Sequence, residues 1–243
     1  MANYIVTGAS SGIGRAVAAA LADRGVTVVA AARRREQLDE LAEQHGESIR
    51  PLAADLATEA GLAALAAAVS DFDEIAGVVH AAGSLVPVEP YTALTSDSLT
   101  HHFRIHVATP IEINNRLGAQ LRGGRIIYID SYSASSPRHG WSGYSIVKAA
   151  AQMAARAAEQ ELDGVDIIRI FPGGVRTPLV EAVLDTEGSP VGDAFRGYDA
   201  AGDIAEPAAI GAYIAHVALD TTESDLASHD IWDYADPTTH PPS

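Results

Sequence analysis

Short runs of apolar, mostly β-branched residues alternate with Ala-rich segments along most of the chain. Runs that are apolar at almost every position, such as Ile75-Ala76-Gly77-Val78-Val79, are typical of strands buried on both faces of a sheet. The Ala-rich segments have the periodicity of helices. The predicted strands span residues 4–7, 26–31, 49–53, 75–80, 124–130, 165–171 and, with the weakest pattern, 230–234, and the predicted helices span 12–24, 35–45, 58–70, 96–120, 142–162 and 205–219.

Alternation of strands and helices predicts an α/β fold, a doubly wound, Rossmann-like parallel sheet with helices on both faces. The 243 residues contain no internal repeat and no Pro/Gly-rich linker, so we predict a single domain over residues 1–236. Within it, the Gly-rich and acidic stretch 178–203 is longer than most connections, and we expect it to be a substrate loop. Residues 237–243 contain three prolines and are predicted to form a disordered tail.

The composition excludes several classes of function. A net charge of −16 repels nucleic acid and anionic membrane surfaces, so we expect neither as a partner. No apolar run approaches the ~20 residues that cross a bilayer, and the first residues lack a secretory-signal pattern, so the expected location is cytoplasmic. The absence of cysteine excludes disulfides and thiolate chemistry, and the histidines show no metal-binding spacing.

A glycine-rich turn, Thr7-Gly8-Ala9-Ser10-Ser11-Gly12-Ile13-Gly14, joins the first predicted strand to the first predicted helix. Gly8 permits a tight turn, Gly12 lets the backbone approach a diphosphate, and Gly14 lets the helix pack closely on the sheet. The helix N-terminus offers free N–H groups and the positive end of its dipole. The predicted phosphate-binding residues are Gly8, Ser10, Ser11, Gly12, Ile13 and Gly14.

The spacing of these glycines, in TGASSGIG, differs from the usual G-x-G-x-x-G and resembles that of the short-chain dehydrogenase/reductase family. The resemblance extends from residue 3 to about residue 178. It implies an oxidoreductase that interconverts a carbonyl compound and an alcohol by hydride transfer with a nicotinamide cofactor.

Three further residues match the catalytic set of that family. Tyr144 and Lys148 lie four residues apart on a predicted helix and therefore share one face. Ser131 ends the fifth predicted strand and precedes Tyr144 by thirteen residues, the interval found in the family, and Lys148 is the only lysine in the chain. An ammonium about 5 Å from the phenol favours phenolate by roughly 3 kcal/mol at an effective dielectric of ~20, so we expect a lowered pKa for Tyr144.

The end of the second predicted strand indicates NADP(H) as the cofactor. An NAD enzyme needs an acidic residue there for the ribose 2′-hydroxyl, and this chain has Ala32. Arg33 follows where NADP-using relatives carry a basic residue, and a guanidinium can fork onto the 2′-phosphate. Arg34 is the second candidate. The alternative interpretation is that these arginines only begin a solvated helix.

Other cofactor contacts are implied by the resemblance. Asp55-Leu56 matches the family's acidic residue near the adenine, although it could equally belong to a helix N-cap. The family's NNAG segment appears here as His80-Ala81-Ala82-Gly83, and the segment 172–177 matches a PG…T stretch that closes over the nicotinamide, or is an ordinary turn. The additional predicted contacts are Asp55, Leu56, Ala82, Gly83, Pro172, Gly173, Val175 and Thr177, together with Tyr144 and Lys148.

Two positions depart from the family pattern. His106 stands where the family has a catalytic Asn that holds a water in a proton relay; His106 could take over that role or simply pack inside the helix. The glycine pair usual near the last strand is missing from residues 231–234, which puts the standard tetramer in doubt. The helices at 96–120 and 142–162 could still build a homodimer or homotetramer.

The sequence therefore predicts an NADP(H)-dependent enzyme acting on a small ketone, aldehyde or alcohol. A neighbouring alternative is a 3-oxoacyl-carrier-protein reductase, which the negative net charge disfavours because carrier proteins are acidic. An alternative of another class is a non-catalytic NADPH-binding sensor or scaffold, which the His106 departure suggests and the intact Ser131, Tyr144 and Lys148 oppose.

Overall fold

The centre of the molecule is a seven-stranded sheet in which every neighbouring pair of strands is parallel. The structure, a computed structural model, describes residues 2–84 and 88–240. The strands of this sheet are β1 Asn3–Thr7, β2 Thr27–Ala32, β3 Ile49–Ala53, β4 Gly77–His80, β5 Arg125–Ile129, β6 Asp166–Phe171 and β9 Trp232–Asp233, in the spatial order 3-2-1-4-5-6-9, while β7 Gly174–Val175 and β8 Ile204–Ala205 form a separate two-stranded sheet.

Two layers of helices cover the sheet. Alternate residues of one strand face opposite layers: in β1, Val6 lies in one core cluster and Ile5 in the other. One cluster contains residues of the first, second and ninth helices, and the other contains residues of the third, fifth and sixth. This arrangement confirms the predicted doubly wound α/β fold. The helices are α1 Gly12–Ala22, α2 Arg35–His45, α3 Glu59–Ala68, α4 Ser96–Phe103, α5 Thr109–Leu117, α6 Ser142–Glu161, α7 Pro178–Leu184, α8 Pro190–Ala201, α9 Pro207–Leu219 and α10 Glu223–Ser228.

The strand order determines where a ligand can enter. The chain moves outward from β1 to β2 and β3 on one side, then returns to β4 on the other side of β1. The connections after β1 and β4 therefore leave in opposite directions and open a crevice at the carboxyl ends of these strands. The glycine-rich turn after Thr7 and the segment after His80 both lie there.

The predicted helix 96–120 is interrupted. A π-helix, Arg104–Ala108, separates α4 from α5, and α5 ends at Leu117. Pro110 gives the physical reason, because it has no N–H to bond the carbonyl of His106 and its ring crowds that carbonyl. A π segment accommodates the extra residue and places His106 at the irregular point.

The stretch 178–203, expected to be a loop, contains the two helices α7 and α8. Thr177 and Ser189 cap them, each with a proline at the first helical position, which is a helix-start pattern that the Gly-rich composition obscured. Val183 and Phe195 pack with Trp141 in a third core cluster.

The chain end differs from the expected disordered tail over residues 237–240. Pro237–Thr239 form a short 3-10 helix, Thr239 is buried, and the Tyr213 hydroxyl donates to Oγ1 of Thr239 at 2.8 Å. Residues 241–243 lie outside the described residues. Within the described chain, no helix combines the length and the apolar character needed to span a bilayer.

Candidate active site

A cleft of about 480 Å³ lies at the carboxyl ends of β1, β2, β4 and β5. It extends from the arginines that follow β2 to the Tyr144 side of α6. The predicted site residues that line it are Gly8, Ser10, Ser11, Gly12, Ile13, Gly14, Arg33, Arg34, Asp55, Leu56, Ala82, Gly83, His106, Tyr144, Lys148 and Thr177.

The glycine-rich turn has no room for side chains at its three glycines. Gly8 and Gly12 have φ values of 71° and 53°, in the region that favours glycine. A Cβ on Gly8 would lie 2.7 Å from the carbonyl oxygen of Ala81, and one on Gly14 would lie 2.5 Å from that of Gly8. Helix α1 thus begins directly against the turn, and its N-terminal N–H groups lie beside the cleft. This geometry fits a diphosphate.

The arginines at the end of β2 have different surroundings. Arg34 donates from Nε and Nη2 to Oγ of Ser10 at 3.2 and 3.0 Å, which ties the glycine-rich turn to β2. Arg35 lies 3.7 Å from Asp39 on α2. Arg33 is exposed at the cleft and has no ion pair or side-chain hydrogen bond within the described part of the chain. Its guanidinium is therefore available to a ligand.

Asp55 lines the cleft and also fixes the turn before α3. Its Oδ1 accepts the Ala57 N–H at 3.1 Å, whereas the cap of α3 is Thr58, whose hydroxyl accepts the Gly61 N–H at 3.1 Å. Asp55 is thus not itself the helix cap, and Asp55 and Leu56 both border the end of the cleft near β2 and β3.

Ser131, Tyr144 and Lys148 come together beyond the carboxyl end of β5. The Ser131 side chain lies close enough to the Tyr144 phenol to lower its pKa, although Ser131 itself does not line the cleft. Lys148, buried one helical turn after Tyr144, donates from Nζ to the carbonyl oxygen of Ile129 at 2.6 Å. Asp130 is held between the N–H of Ser131 at 2.7 Å and Nε2 of Gln152 at 3.0 Å.

Burial dominates the ionisation of this group. It raises the pKa of Tyr144 to about 12, against the lowering effect of the Ser131 hydrogen bond and with a further increase from the Asp130 carboxylate. Burial also lowers the pKa of Lys148 to about 8, which Asp130 opposes. The expected lowering of the Tyr144 pKa by a nearby ammonium is therefore not found, because desolvation disfavours the phenolate more strongly.

His106 lies on the wall of the cleft beside this group. Its Nε2 accepts the Ser84 N–H at 3.2 Å, and its ring meets the Tyr144 ring edge-on at a centroid distance of 6.5 Å. Burial, with the Lys148 charge as the next cause, lowers the pKa of His106 to about 3. The imidazole is therefore neutral at physiological pH.

The segment after β6 contributes less to the cleft than expected. Pro172, Gly173 and Val175 do not line it, and the Val175 side chain is buried in the core where β7 pairs with β8. Thr177 does line the cleft, and its hydroxyl accepts the Val180 N–H at 3.3 Å.

Sequence reasoning missed two residues that shape this site. Trp141 stacks face to face on Tyr144, with ring centroids 4.1 Å apart and planes 9° from parallel. The sequence did contain a signal for this contact, because Trp141 precedes Tyr144 by three residues, about one helical turn. His80, which the sequence analysis names only as the first residue of the segment 80–83, lines the cleft, and its Nε2 lies 2.8 Å from Oδ1 of Asn114. Its partner is distant in sequence, so no local pattern marks it.

Comparison with known proteins identifies the family. A family model described as short chain dehydrogenase matches residues 2–188. The chain therefore belongs to the short-chain dehydrogenase/reductase family, and it is an oxidoreductase of that family. Members of the family use NAD(H) or NADP(H).

Individual relatives agree with this assignment. The chain is 30% identical to the uncharacterized oxidoreductase YvaG of Bacillus subtilis over 192 residues, 75% of this chain and 71% of the relative. It is 25% identical to a benzil reductase ((S)-benzoin forming) of Bacillus cereus over 202 residues, 76% of this chain and 80% of the relative. The fold matches a short-chain dehydrogenase/reductase from Saccharomyces cerevisiae with a TM-score of 0.90 at 22% identity, covering 99% of this chain and 100% of that chain.

Proposed function

We propose that this protein is an NADP(H)-dependent enzyme that interconverts a ketone or aldehyde and its alcohol, with Tyr144 as the acid–base group. The observation that carries the proposal is the position of the Ser131–Tyr144–Lys148 group. It lies at one end of a cleft whose other end presents a glycine-rich turn and Arg33, which has no ion pair among the described residues. The similarity to a benzil reductase of Bacillus cereus supports a carbonyl substrate.

The cofactor-binding residues favour NADP(H) over NAD(H). The glycine-rich turn and the start of α1 would hold the diphosphate, and Arg33 would pair with the 2′-phosphate. The buried Ala32 side chain has no acceptor for a ribose 2′-hydroxyl. Asp55 and Leu56 would border the adenine, and Ala82, Gly83, Thr177 and Lys148 the nicotinamide half. A nicotinamide bound in this cleft supplies the hydride that is added to or removed from the carbonyl carbon.

The protein's own residues then handle the oxygen and its proton. Ser131 holds the substrate oxygen by a hydrogen bond, and Tyr144 donates a proton to it during reduction. A phenol with a raised pKa is fully protonated at neutral pH, which suits this acid role. Lys148 keeps positive charge close to the oxygen that loses the proton. His106, neutral and adjacent to Tyr144, is proposed to accept and donate hydrogen bonds in the proton path.

We also propose that the protein works as a homodimer or homotetramer through α4, α5 and α6. Large apolar side chains are exposed on these helices, namely Phe103, Ile111, Ile146 and Met153. Covering such side chains favours association. Light scattering after size-exclusion chromatography measures the mass directly, and a 25.3 kDa particle would refute the oligomer.

The proposed function is tested by nucleotide binding followed by turnover. We expect the purified protein to bind NADPH at least about tenfold more tightly than NADH, since one charged hydrogen bond contributes roughly 1.5–3 kcal/mol. We then expect NADPH oxidation on addition of small ketones or aldehydes. Binding of NADPH without turnover of any carbonyl compound would instead favour a sensor or scaffold. Turnover confined to acyl-carrier-protein thioesters would favour a 3-oxoacyl-carrier-protein reductase.

A further inference from the structure

A small recess of about 30 Å³ lies behind the cleft, on the far side of Lys148. We call it the rear recess. Its polar lining residues are His80, His106, Tyr128, Asp130, Lys148 and Gln152. A cavity needs roughly 10–15 Å³ of this kind of volume to hold a water molecule, so the recess has space for one.

One nitrogen in the recess lacks a partner. Nδ1 of His80 is buried and has no hydrogen-bond partner among the described residues. Buried polar atoms are almost always paired with protein or water, because an unpaired one costs about 1–3 kcal/mol. His80 lines both the cleft and the rear recess. A water molecule in the recess would therefore lie next to the His80 side chain.

The other nitrogen of His80 determines what Nδ1 can do. Asn114 donates from Nδ2 to the Tyr128 hydroxyl at 2.8 Å, so its Oδ1 faces Nε2 of His80 at 2.8 Å. Nε2 must then carry the hydrogen. Burial lowers the pKa of His80 to about 4, opposed by the Asn114 hydrogen bond, so the ring is neutral at physiological pH. In a neutral imidazole with hydrogen on Nε2, Nδ1 is an acceptor.

We propose that the rear recess binds a water molecule between the Lys148 ammonium and Nδ1 of His80, and that His80 is a positioning residue for Lys148. Lys148 has three N–H donors and uses one on the Ile129 carbonyl oxygen. A second N–H donates to the water, and the water donates to Nδ1. Nδ1 of His80 then has a hydrogen-bond partner, and the buried ammonium gains an oriented dipole.

The consequence is a measurable effect on Lys148. A water whose hydrogen is held by His80 turns its oxygen to the ammonium, which stabilises the charged lysine and raises its pKa. The other charged or titratable groups that act on Lys148 are Asp130 after β5 and His106 of the π-helix, and Arg169 of β6 lies 3.9 Å from Asp130. None of these changes when His80 is replaced.

Two substitutions separate the two nitrogens of His80. In His80→Asn the amide lies where Nδ1 was, so the acceptor in the recess is kept and the contact with Asn114 is lost. In His80→Gln the longer side chain places its amide where Nε2 was, so the Asn114 contact is kept and the acceptor in the recess is lost. Each variant is therefore the control for the other.

Lys148 can be observed without ambiguity because it is the only lysine in the chain. Protein labelled with ¹³Cε-lysine gives one side-chain NMR signal, whose pH titration reports the pKa of Lys148 without cofactor or turnover. We expect the pKa in His80→Gln to fall by about one pH unit below that of the parent, because a hydrogen bond to a charged group is lost. We expect His80→Asn to keep the parent value while losing thermal stability.

The inference relies on the proposed function only for the importance of Lys148, and the titration fails or succeeds independently of any carbonyl reduction. An unchanged Lys148 pKa in His80→Gln, or a decrease confined to His80→Asn, would overturn it. Two measurements on the parent protect the test against misfolded variants. ¹⁵N NMR should show His80 with hydrogen on Nε2, and a crystal structure should show water bonded to both Nζ and Nδ1. The opposite tautomer or a dry recess would refute the inference.

Discussion

Replacing Arg33 by Ala tests the choice of cofactor most sharply. Arg33 is exposed at the cleft and unpaired in the described part of the chain, so no internal contact is lost with it. The charged hydrogen bond to a 2′-phosphate contributes roughly 1.5–3 kcal/mol, and solvent around an exposed group favours the lower value. We therefore expect Arg33→Ala to weaken NADPH binding about tenfold and to leave NADH binding within about twofold.

The matched control is Arg35→Ala. Arg35 is two residues further, carries the same charge and pairs with Asp39 outside the cleft. The Arg35→Ala substitution should therefore leave the ratio of NADPH affinity to NADH affinity unchanged. Arg34→Ala should weaken both nucleotides, because the Arg34–Ser10 contact supports the glycine-rich turn itself. Isothermal titration calorimetry with each nucleotide gives the affinities. An unchanged ratio in Arg33→Ala, or an equal decrease in Arg35→Ala, would refute the reasoning.

Three further predictions follow from buried groups. The folded protein keeps His80 and His106 neutral, with pKa values lowered to about 4 and about 3 mainly by burial, while the unfolded chain protonates them near pH 6.5. Stability is therefore full above about pH 6.5 and is lost as the pH falls, by about 2 kcal/mol per histidine between about pH 7 and about pH 5. Urea unfolding at the two pH values checks this, and His80→Asn should remove about half of the loss. Gly14→Ala places a Cβ 2.5 Å from the Gly8 carbonyl oxygen, so we expect loss of nucleotide binding by calorimetry, and parent-like affinity would contradict the tight packing. Trp141→Leu removes the ring stacked on Tyr144, so turnover should fall about fivefold for ~1 kcal/mol of lost positioning while NADPH affinity is kept; equal losses in both would show a general structural defect.

The sequence predicted the main fold because strands buried on both faces are apolar throughout. Val6 and Ile5 pack against opposite layers of helices, and an apolar run of this kind can be recognised from the sequence alone. The end of the chain was harder. The strand β9 has only two residues, and the order of residues 237–240 depends on a bond between Tyr213 and Thr239 that no local pattern indicates.

The candidate site was predictable where spacing along one element determines it. Tyr144 and Lys148 share a helix face, and the glycines of the turn have individual steric requirements. Properties that depend on the three-dimensional surroundings of a side chain could not be predicted from the sequence. The sign of the Tyr144 pKa shift depends on burial, and the role of His80 depends on Asn114, thirty-four positions away. The two helices in 178–203 were marked by Thr177-Pro178 and Ser189-Pro190, signals that the composition of the stretch concealed.

The central claim is that Tyr144 donates the proton to the substrate oxygen, and the substitution Tyr144→Phe tests it most directly. The measurement is NADPH oxidation by the parent and the variant with small ketones and aldehydes, together with NADPH affinity of both proteins. Since a positioned acid contributes about 10²–10⁴-fold, we expect the variant to lose at least a hundredfold in rate and to bind NADPH as the parent does. A Tyr144→Phe protein that reduces carbonyl compounds at the parent rate would contradict the account.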